Sequence, residues 1–252
     1  MQYKYATAQL DYSDFSSGRV FYSLPGHPAF PVRLASETFQ RCVAHRKAHY
    51  GISTPCILYD PCCGAAYHLS VLAYLHGAHI REIIGSDVDE RAVALAERNL
   101  GLLNPAGLDH RIREISKMLE QYGKESHREA LKSASVLKKK LSTFVEQHLL
   151  ETKVFQASAT NEKAILDHIK PKSVDVIFTD VPYGRHSYWH DSDADELLNP
   201  LEAMLDALYQ VLSSSSIVVI ASNKQQKVAH ERYQRIEHFQ AGKRRIAILR
   251  PI

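Results

Sequence analysis

Val174-Asp175-Val176-Ile177-Phe178-Thr179-Asp180-Val181-Pro182-Tyr183-Gly184 begins as an apolar run long enough for one buried strand and ends abruptly in Asp-Val-Pro-Tyr. Those last residues pair hydrogen-bond acceptors with an aromatic platform at the carboxyl end of the strand. In an open α/β sheet that end is where ligands bind. Such a corner suits a planar ring bearing an amino group. Upstream, Ile57-Leu58-Tyr59-Asp60-Pro61-Cys62-Cys63-Gly64 is a second strand running into a turn. Together the two stretches predict a cofactor site and a substrate site on one sheet.

Working outward, strand and helix alternate from Pro55. The strand at 56–59 leads to a helix with Leu69, Leu72 and Leu75 on one face, closed by Gly77. A strand at 82–85 leads to Asp87-Val88-Asp89, where Asp89 is placed to cap a helix. That helix carries Val93, Ala96, Leu100 and Leu103 at helical spacing and is expected to stop at Pro105. After a pause, strands at 153–156, 174–179 and 217–220 follow. Between the last two lies a helix with Leu198, Leu201, Leu205, Leu208 and Leu212. The runs 235–239 and 244–249, joined around Ala241-Gly242, read as a closing hairpin. Alternating β and α implies a mostly parallel sheet covered on both faces.

Two embellishments interrupt this plan. Residues 1–54 form an extension rich in aromatics and turn formers. Three prolines between Ser23 and Pro31 exclude a helix there, and Ser36 is the expected cap of a helix through Phe39, Val43 and Lys47. Residues 107–150 read as two helices separated at Gly123, inserted between sheet strands. Lys138-Lys139-Lys140 on the second is the pattern of a solvated face.

The chain has 252 residues, 45% hydrophobic, enough for one packed core. No apolar run approaches the roughly 20 residues that span a bilayer, and Met1-Gln2-Tyr3-Lys4 opens no secretory leader. A cytoplasmic location is therefore expected. Cys42, Cys56, Cys62 and Cys63 form no C-x-x-C pair, so reduced packing thiols are expected and no metal site. The formal net charge is only +3, yet from Ser222 onward eight basic residues face only Glu231 and Glu237. That is a candidate nucleic-acid footprint, against which stands the plainer reading of a solvated charged face.

Asp60-Pro61-Cys62-Cys63-Gly64 lies where the first strand meets the first helix. Small residues there let a ligand approach the backbone, and helix N-terminal amides favour an anionic group such as an amino acid carboxylate. Asp60 is placed to receive an ammonium, and Asp87, ending the next strand, to accept ribose hydroxyls. Gly64 is followed by Ala66, so the G-x-G-x-x-G dinucleotide fingerprint is absent and NAD is disfavoured. An adenosyl amino acid such as S-adenosylmethionine fits the ordered acids Asp60, Asp87 and Asp180. At the reaction corner, Asp180 and a neighbouring carbonyl are placed to accept the N–H bonds of an amine, aiming its lone pair at a methyl donor. Tyr183 is placed to stack on the base, worth ~1–3 kcal/mol. Arg185, His186, Tyr188 and Trp189 follow and are candidates to line a base pocket. Asp191, Asp193, Asp195 and Glu196 precede a helix, so dipole complementarity accounts for them better than a metal does.

At these residues the chain resembles class I S-adenosylmethionine-dependent methyltransferases. Asp180-Val181-Pro182-Tyr183 is similar to the [DN]-P-P-Y motif of enzymes that methylate amino nitrogens, with Val181 in place of the first proline. More closely, the chain resembles the avilamycin-resistance 23S rRNA (guanine-N2) methyltransferase family. The resemblance rests on 28–35, Phe39-Gln40-Arg41, Asp60-Pro61-Cys62-Cys63-Gly64, Ser86-Asp87-Val88-Asp89 and Thr179-Asp180-Val181-Pro182-Tyr183-Gly184. It implies a Rossmann-like sheet, mostly parallel with an antiparallel C-terminal hairpin, in a single domain of 1–252 whose core is 55–252. It implies S-adenosylmethionine as cofactor, large-subunit rRNA or the ribosomal subunit as partner, and no membrane or metal partner. Asp180, Pro182 and Tyr183 would be catalytic. Asp60, Pro61, Cys62, Cys63 and Gly64 would hold the cofactor, with Asp87, Val88, Ser158 and Asp180. Arg33, Arg185, Trp189, Lys243, Arg244 and Arg245 are the candidate RNA contacts. Two departures from the family pattern are Ala66, where a second glycine is usual, and Ser158, where an acid often contacts the adenine amine. The alternatives are the same chemistry on DNA adenine or a protein glutamine, and an RNA-binding assembly factor without turnover.

Overall fold

The computed structural model describes residues 1–24, 29–145, 150–181 and 199–252. An N-terminal segment with a 3-10 turn at Ser13–Phe15 leads into α1 (Val32–Tyr50). There follow β1 (Cys56–Asp60), α2 (Tyr67–His76), β2 (Ile80–Asp87), α3 (Glu90–Gly101), α4 (Pro105–Tyr122) and α5 (Glu125–Val145). The chain continues through β3 (Glu151–Gln156), α6 (Glu162–Leu166), β4 (Val174–Asp180), α7 (Pro200–Tyr209), β5 (Leu212–Asn223), β6 (Tyr233–Ala241) and β7 (Arg244–Pro251). The strands form one sheet in the order β3-β2-β1-β4-β5-β7-β6. The pairs from β3 to β5 are parallel, and β7 is antiparallel to both β5 and β6.

The strand sequences explain their burial. All five residues of β1 are buried, as expected of a central parallel strand covered on both faces. Side chains alternate between two cores. Leu58, Val176, Phe178, Ile217 and Val219 pack with Leu34 and Phe39 of α1, Leu69 and Leu72 of α2, and Leu100 of α3. Ile57, Tyr59, Ile177, Val218 and Ile220 pack on the other face with Ile165 of α6 and Leu201, Leu205 and Leu208 of α7. The α4–α5 pair packs against α2, α3 and the N-terminal segment. Its Leu108, Ala134, Leu137 and Leu141 join Phe15, Val20 and Phe21 of the N-terminal segment and Val71 of α2 in a third core.

The N-terminal segment is also held by charge. Glu37 is fully buried, and its carboxylate accepts the N–H groups of Lys4, Tyr5 and Ala6 at 2.7, 2.8 and 2.7 Å and Nε of Arg41 at 2.9 Å. Burial pushes its pKa up, but these donors outweigh it and the net shift is downward.

Several boundaries differ from the sequence expectation. The helix expected from Ser36 begins at Val32, after Pro31 in extended backbone, where a missing N–H costs nothing. Ser36 lies inside the helix, buried, with Oγ 2.9 Å from Nε2 of His76. Pro105 does not end α3 but opens α4, behind Asn104, whose side chain accepts the N–H of Ala106. Gly107 lets α4 close on α3, since a Cβ there would lie 2.1 Å from the Gly101 carbonyl oxygen. The short α6, capped by Asn161, was not visible as a periodic pattern. Asp89 does cap α3, accepting the N–H of Arg91 at 2.9 Å. Among the described residues, no helix is long and apolar enough to cross a membrane.

Candidate active site

From β1 the chain runs to β2 and β3 on one side, then crosses to β4 on the other. The switch point of this sheet therefore lies between β1 and β4, where open α/β sheets leave a crevice beyond the strand ends. Asp60 ends β1, Asp180 ends β4 and Asp87 ends β2. The acids picked out in the sequence thus meet at one end of the sheet.

The turn after β1 is built by hydrogen bonds to those acids. Asp60 Oδ1 accepts the Cys62 N–H at 3.0 Å, Asp87 Oδ2 accepts the Gly64 N–H at 2.8 Å, and Ser86 O accepts the Cys63 N–H at 2.9 Å. Gly64 sits at φ +53°, and Ala66, buried, at φ +52°. For a residue with a Cβ that conformation costs roughly 1–2 kcal/mol, so Ala66 occupies the place where a second glycine was expected and takes up a glycine's backbone. Gly85 lets Cys63 in. A Cβ on Gly85 would stand 3.0 Å from Cys63 Sγ. Pro61 receives a long bond from Ser86 Oγ at 3.5 Å, and the Val88 carbonyl accepts Nε2 of Gln156 at 2.9 Å. Ser158 bonds Thr160 through both side chains at 2.9 Å. Burial pushes the Cys62 and Cys63 thiols well above their ordinary range, which suits packing groups rather than nucleophiles.

Asp60 is completely buried, and burial pushes its carboxyl up to about 8. Among the described residues its Oδ2 has no hydrogen-bond partner, while the neighbouring Thr179 hydroxyl favours the ionised form and opposes part of the rise. His68 Nε2 stands 3.3 Å from that oxygen but bonds the Phe178 carbonyl, also at 3.3 Å. Burial lowers the His68 pKa to about 4, so the ring is neutral and gives Asp60 no counter-charge. Asp180 shows the same incompleteness. Oδ2 receives Nε and Nη2 of Arg244 at 3.2 and 3.1 Å, while Oδ1 is buried without a partner among the described residues. Burial raises its pKa and the Arg244 charge opposes the rise.

Pro182, Tyr183, Arg185 and Trp189 lie outside the described residues. Arg33 is engaged with the N-terminal segment, donating to the carbonyls of Ala6 and Thr7 at 2.9 Å each and lying over the Tyr3 ring. Arg245 donates to the Gln226 carbonyl at 3.3 Å, and Lys243 is exposed in the β6–β7 turn. Residues that sequence reasoning missed include His68, Phe30 and Asn99. The buried Asn99 side chain joins the Ala65 carbonyl to both main-chain groups of Tyr22. Gly85 left a signal, a glycine inside an apolar strand, which marks close approach of another backbone or side chain.

A family model described as rRNA methyltransferase AviRa matches residues 1–244. The 23S rRNA (guanine(2535)-N(1))-methyltransferase of Streptomyces viridochromogenes is 34% identical over 248 residues, 98% of this chain and 95% of that protein. A solved structure of rRNA methyltransferase aviRa from the same organism superposes with a TM-score of 0.86 at 34% identity, over 99% of this chain and 96% of that one. TrmN from Thermus thermophilus, 15% identical with a TM-score of 0.51, covers 88% of this chain and 49% of its own, and shares the fold alone. Fold and site define a class I methyltransferase, with S-adenosylmethionine as its cofactor. The chain belongs to the AviRa family of rRNA methyltransferases.

The residues present fit that cofactor. A buried carboxylate oxygen without a donor among the described residues, Asp60 Oδ2, is the complement of an ammonium. The Gly64–Ala66 turn brings main-chain groups to the start of α2. Asp87 already accepts two N–H groups, yet each of its oxygens has a second lone pair for a ribose hydroxyl.

Proposed function

We propose that this protein methylates a guanine of large-subunit rRNA on its Watson–Crick edge, at ring N1. The observation that carries the reading is Asp180 Oδ1, a buried acceptor without a donor among the described residues, at the end of β4 and next to the cofactor strand. A guanine presents N1–H and an N2 amino group side by side, and Oδ1, with its lone pairs free, would accept the N1–H. The N1 lone pair belongs to the ring π-system, so N1 becomes nucleophilic only as its proton leaves. Asp180 would accept that proton, and burial raises its basicity. S-adenosylmethionine supplies a methyl group on a sulfonium, whose C–S bond breaks with its electron pair leaving on sulfur. Asp60 would hold the ammonium and Asp87 the ribose.

The Streptomyces relative named for N1 chemistry favours N1. The Asp-Val-Pro-Tyr tetrad favours the exocyclic N2, the second reading, through its likeness to motifs of amino-nitrogen methylation. Both use Asp180 as acceptor and both release one proton for each methyl transferred; they differ in timing, since the N1 proton must leave as the nitrogen attacks, whereas an amino proton leaves after the methyl has arrived. The RNA would run over Lys224, Lys227 and Lys243, all exposed beyond the carboxyl end of β5, where Asn223 pairs with Arg244. Arg245 braces the loop that carries the first two. A large-subunit rRNA substrate implies action in the cytoplasm.

The test is transfer of labelled methyl from S-adenosylmethionine to naked large-subunit rRNA, intact subunits, tRNA and duplex DNA, with the product nucleoside identified by mass spectrometry. N1-methylguanosine from large-subunit rRNA is expected, and Asp180→Ala should abolish it while leaving cofactor binding largely intact. N2-methylguanosine would move the reading to the amino group. Label in DNA or adenosine would overturn the substrate.

A further inference from the structure

Arg244 opens β7, and the sequence offers it as an RNA contact. The structure gives it another partner. Nε and Nη2 both donate to Asp180 Oδ2, at 3.2 and 3.1 Å. The Arg244 side chain is only 15% exposed, and its guanidinium carbon lies 5.0 Å from the Phe30 ring centroid. The sheet register makes this meeting possible. Asp180 pairs with Ala221 and Arg244 with Asn223, so the arginine starts two residues beyond the aspartate on the shared neighbour β5. A phosphate contact needs a guanidinium offered to solvent, whereas this one lies between a carboxylate and an aromatic face.

We propose that Arg244 is a positioning residue for Asp180, fixing one carboxylate oxygen so that the other, Oδ1, is the acceptor presented to the base. The proposal rests on the reading of Asp180 as the acceptor of the base proton. Two donors on one oxygen set the plane of the carboxylate and leave Oδ1 with its lone pairs free. Phe30 supports Arg244 from the N-terminal segment, which gives that segment a part in the chemistry as well as in packing.

Among the described residues, the charged and titratable groups around Asp180 are Arg244 on β7, Asp60 on β1 and Cys62 in the following turn. His68 of α2 is held neutral by burial, with the Arg244 charge acting in the same direction. Asp60 and Cys62 both feel the Asp180 charge as repulsion. Arg244 is therefore the only nearby cation that favours ionised Asp180 among these groups. An opposite charge at this range favours the ionised carboxyl, so its loss should raise the Asp180 midpoint.

The experiment compares wild type, Arg244→Met and Arg244→Lys. It reads single-turnover methyl transfer against pH, RNA affinity against salt, and the carbon-13 titration of the Asp180 carboxyl, assigned with Asp180→Asn. In Arg244→Met the acid limb of the rate and the Asp180 midpoint should rise together. RNA affinity and its salt slope should hold, and Arg244→Lys should recover part of the shift. An unmoved midpoint, or a loss confined to RNA affinity with a flattened salt slope, would overturn the proposal. Arg244→Gln, which keeps bulk and a donor without charge, serves if the methionine variant does not fold. Wild-type turnover by Asp180→Ala would instead remove the acceptor reading itself, whatever the midpoint does.

Discussion

Asp87 Oδ2 accepts the main-chain N–H of Gly64 at 2.8 Å while its Oδ1 accepts that of Asp89 at 3.0 Å. One carboxylate thus ties the end of β2 to both the cofactor turn and the start of α3. Asp87→Ala should lower S-adenosylmethionine affinity about tenfold to a hundredfold, the range of a hydrogen bond to a charged group. The thermal midpoint should fall as well, because Gly64 loses its anchor. Asp87→Asn keeps one acceptor and should lose less of both. Calorimetry showing wild-type affinity in the alanine variant would leave Asp87 as a cap and nothing more.

Gly85 reaches the same turn from below. A Cβ added there would lie 3.0 Å from Cys63 Sγ and 3.3 Å from Cys63 Cβ, in a fully packed core. Gly85→Ala should cost about 1–3 kcal/mol through overpacking. Cofactor affinity should fall with it, since Gly64 follows directly. The cause is steric, so Cys63→Ala should restore part of the loss when combined with Gly85→Ala. Denaturant midpoints that add independently in the double variant would show that the two positions do not press on each other.

Asp60 has a folded-state pKa of about 8, raised by burial from 3.8. Between those values the folded protein without ligand holds a proton that the unfolded chain has released. The stability tied to Asp60 is therefore complete below about pH 4 and is lost as pH rises toward 8. An ammonium beside Oδ2 favours the ionised form and reverses this bias. Cofactor binding near neutral pH should then release a proton from Asp60. Calorimetric heats measured in buffers of different ionisation enthalpy would count it. Asp60→Asn should bind more weakly and lose this component of the release, and an unchanged count would place the ammonium elsewhere.

The sheet was legible because its strands are apolar runs that end in turn formers. Cys56–Asp60 and Val174–Asp180 announce both the element and the end that binds ligand. The acids Asp60, Asp87 and Asp180 were legible for the same reason, being polar residues at the points where buried strands stop. Pairings across distant elements were not legible. Nothing local in Arg244 says that it will meet Asp180, since 64 residues and a sheet register separate them. Glu37 reads as an ordinary acid on a helix, yet it collects three consecutive N-terminal amides because α1 brings that segment alongside. His68 reads as one more residue on an apolar helix face, and only the packing of α2 on β4 sets it between Asp60 and Phe178. The boundary at Ser36 followed local capping preference, whereas contact with His76 placed that serine inside the helix.

The RNA surface is the remaining test of the proposed substrate. Lys224, Lys227 and Lys243 are exposed at the end of the sheet that carries Asp180, on the β5–β6 loop and in the β6–β7 turn. Each phosphate neutralised by a cation changes the slope of log affinity against log salt by about 0.7 to 0.9. Replacing all three with serine should weaken binding of large-subunit rRNA and flatten that slope by roughly 2, if each makes one contact. Binding of S-adenosylmethionine should not change, since none of the three lies on the β1 turn. Fluorescence anisotropy at several salt concentrations measures both quantities. A triple variant with wild-type slope would place the RNA path on another face, with the exposed Lys132, Lys139 and Lys140 of α5 as the next set to replace.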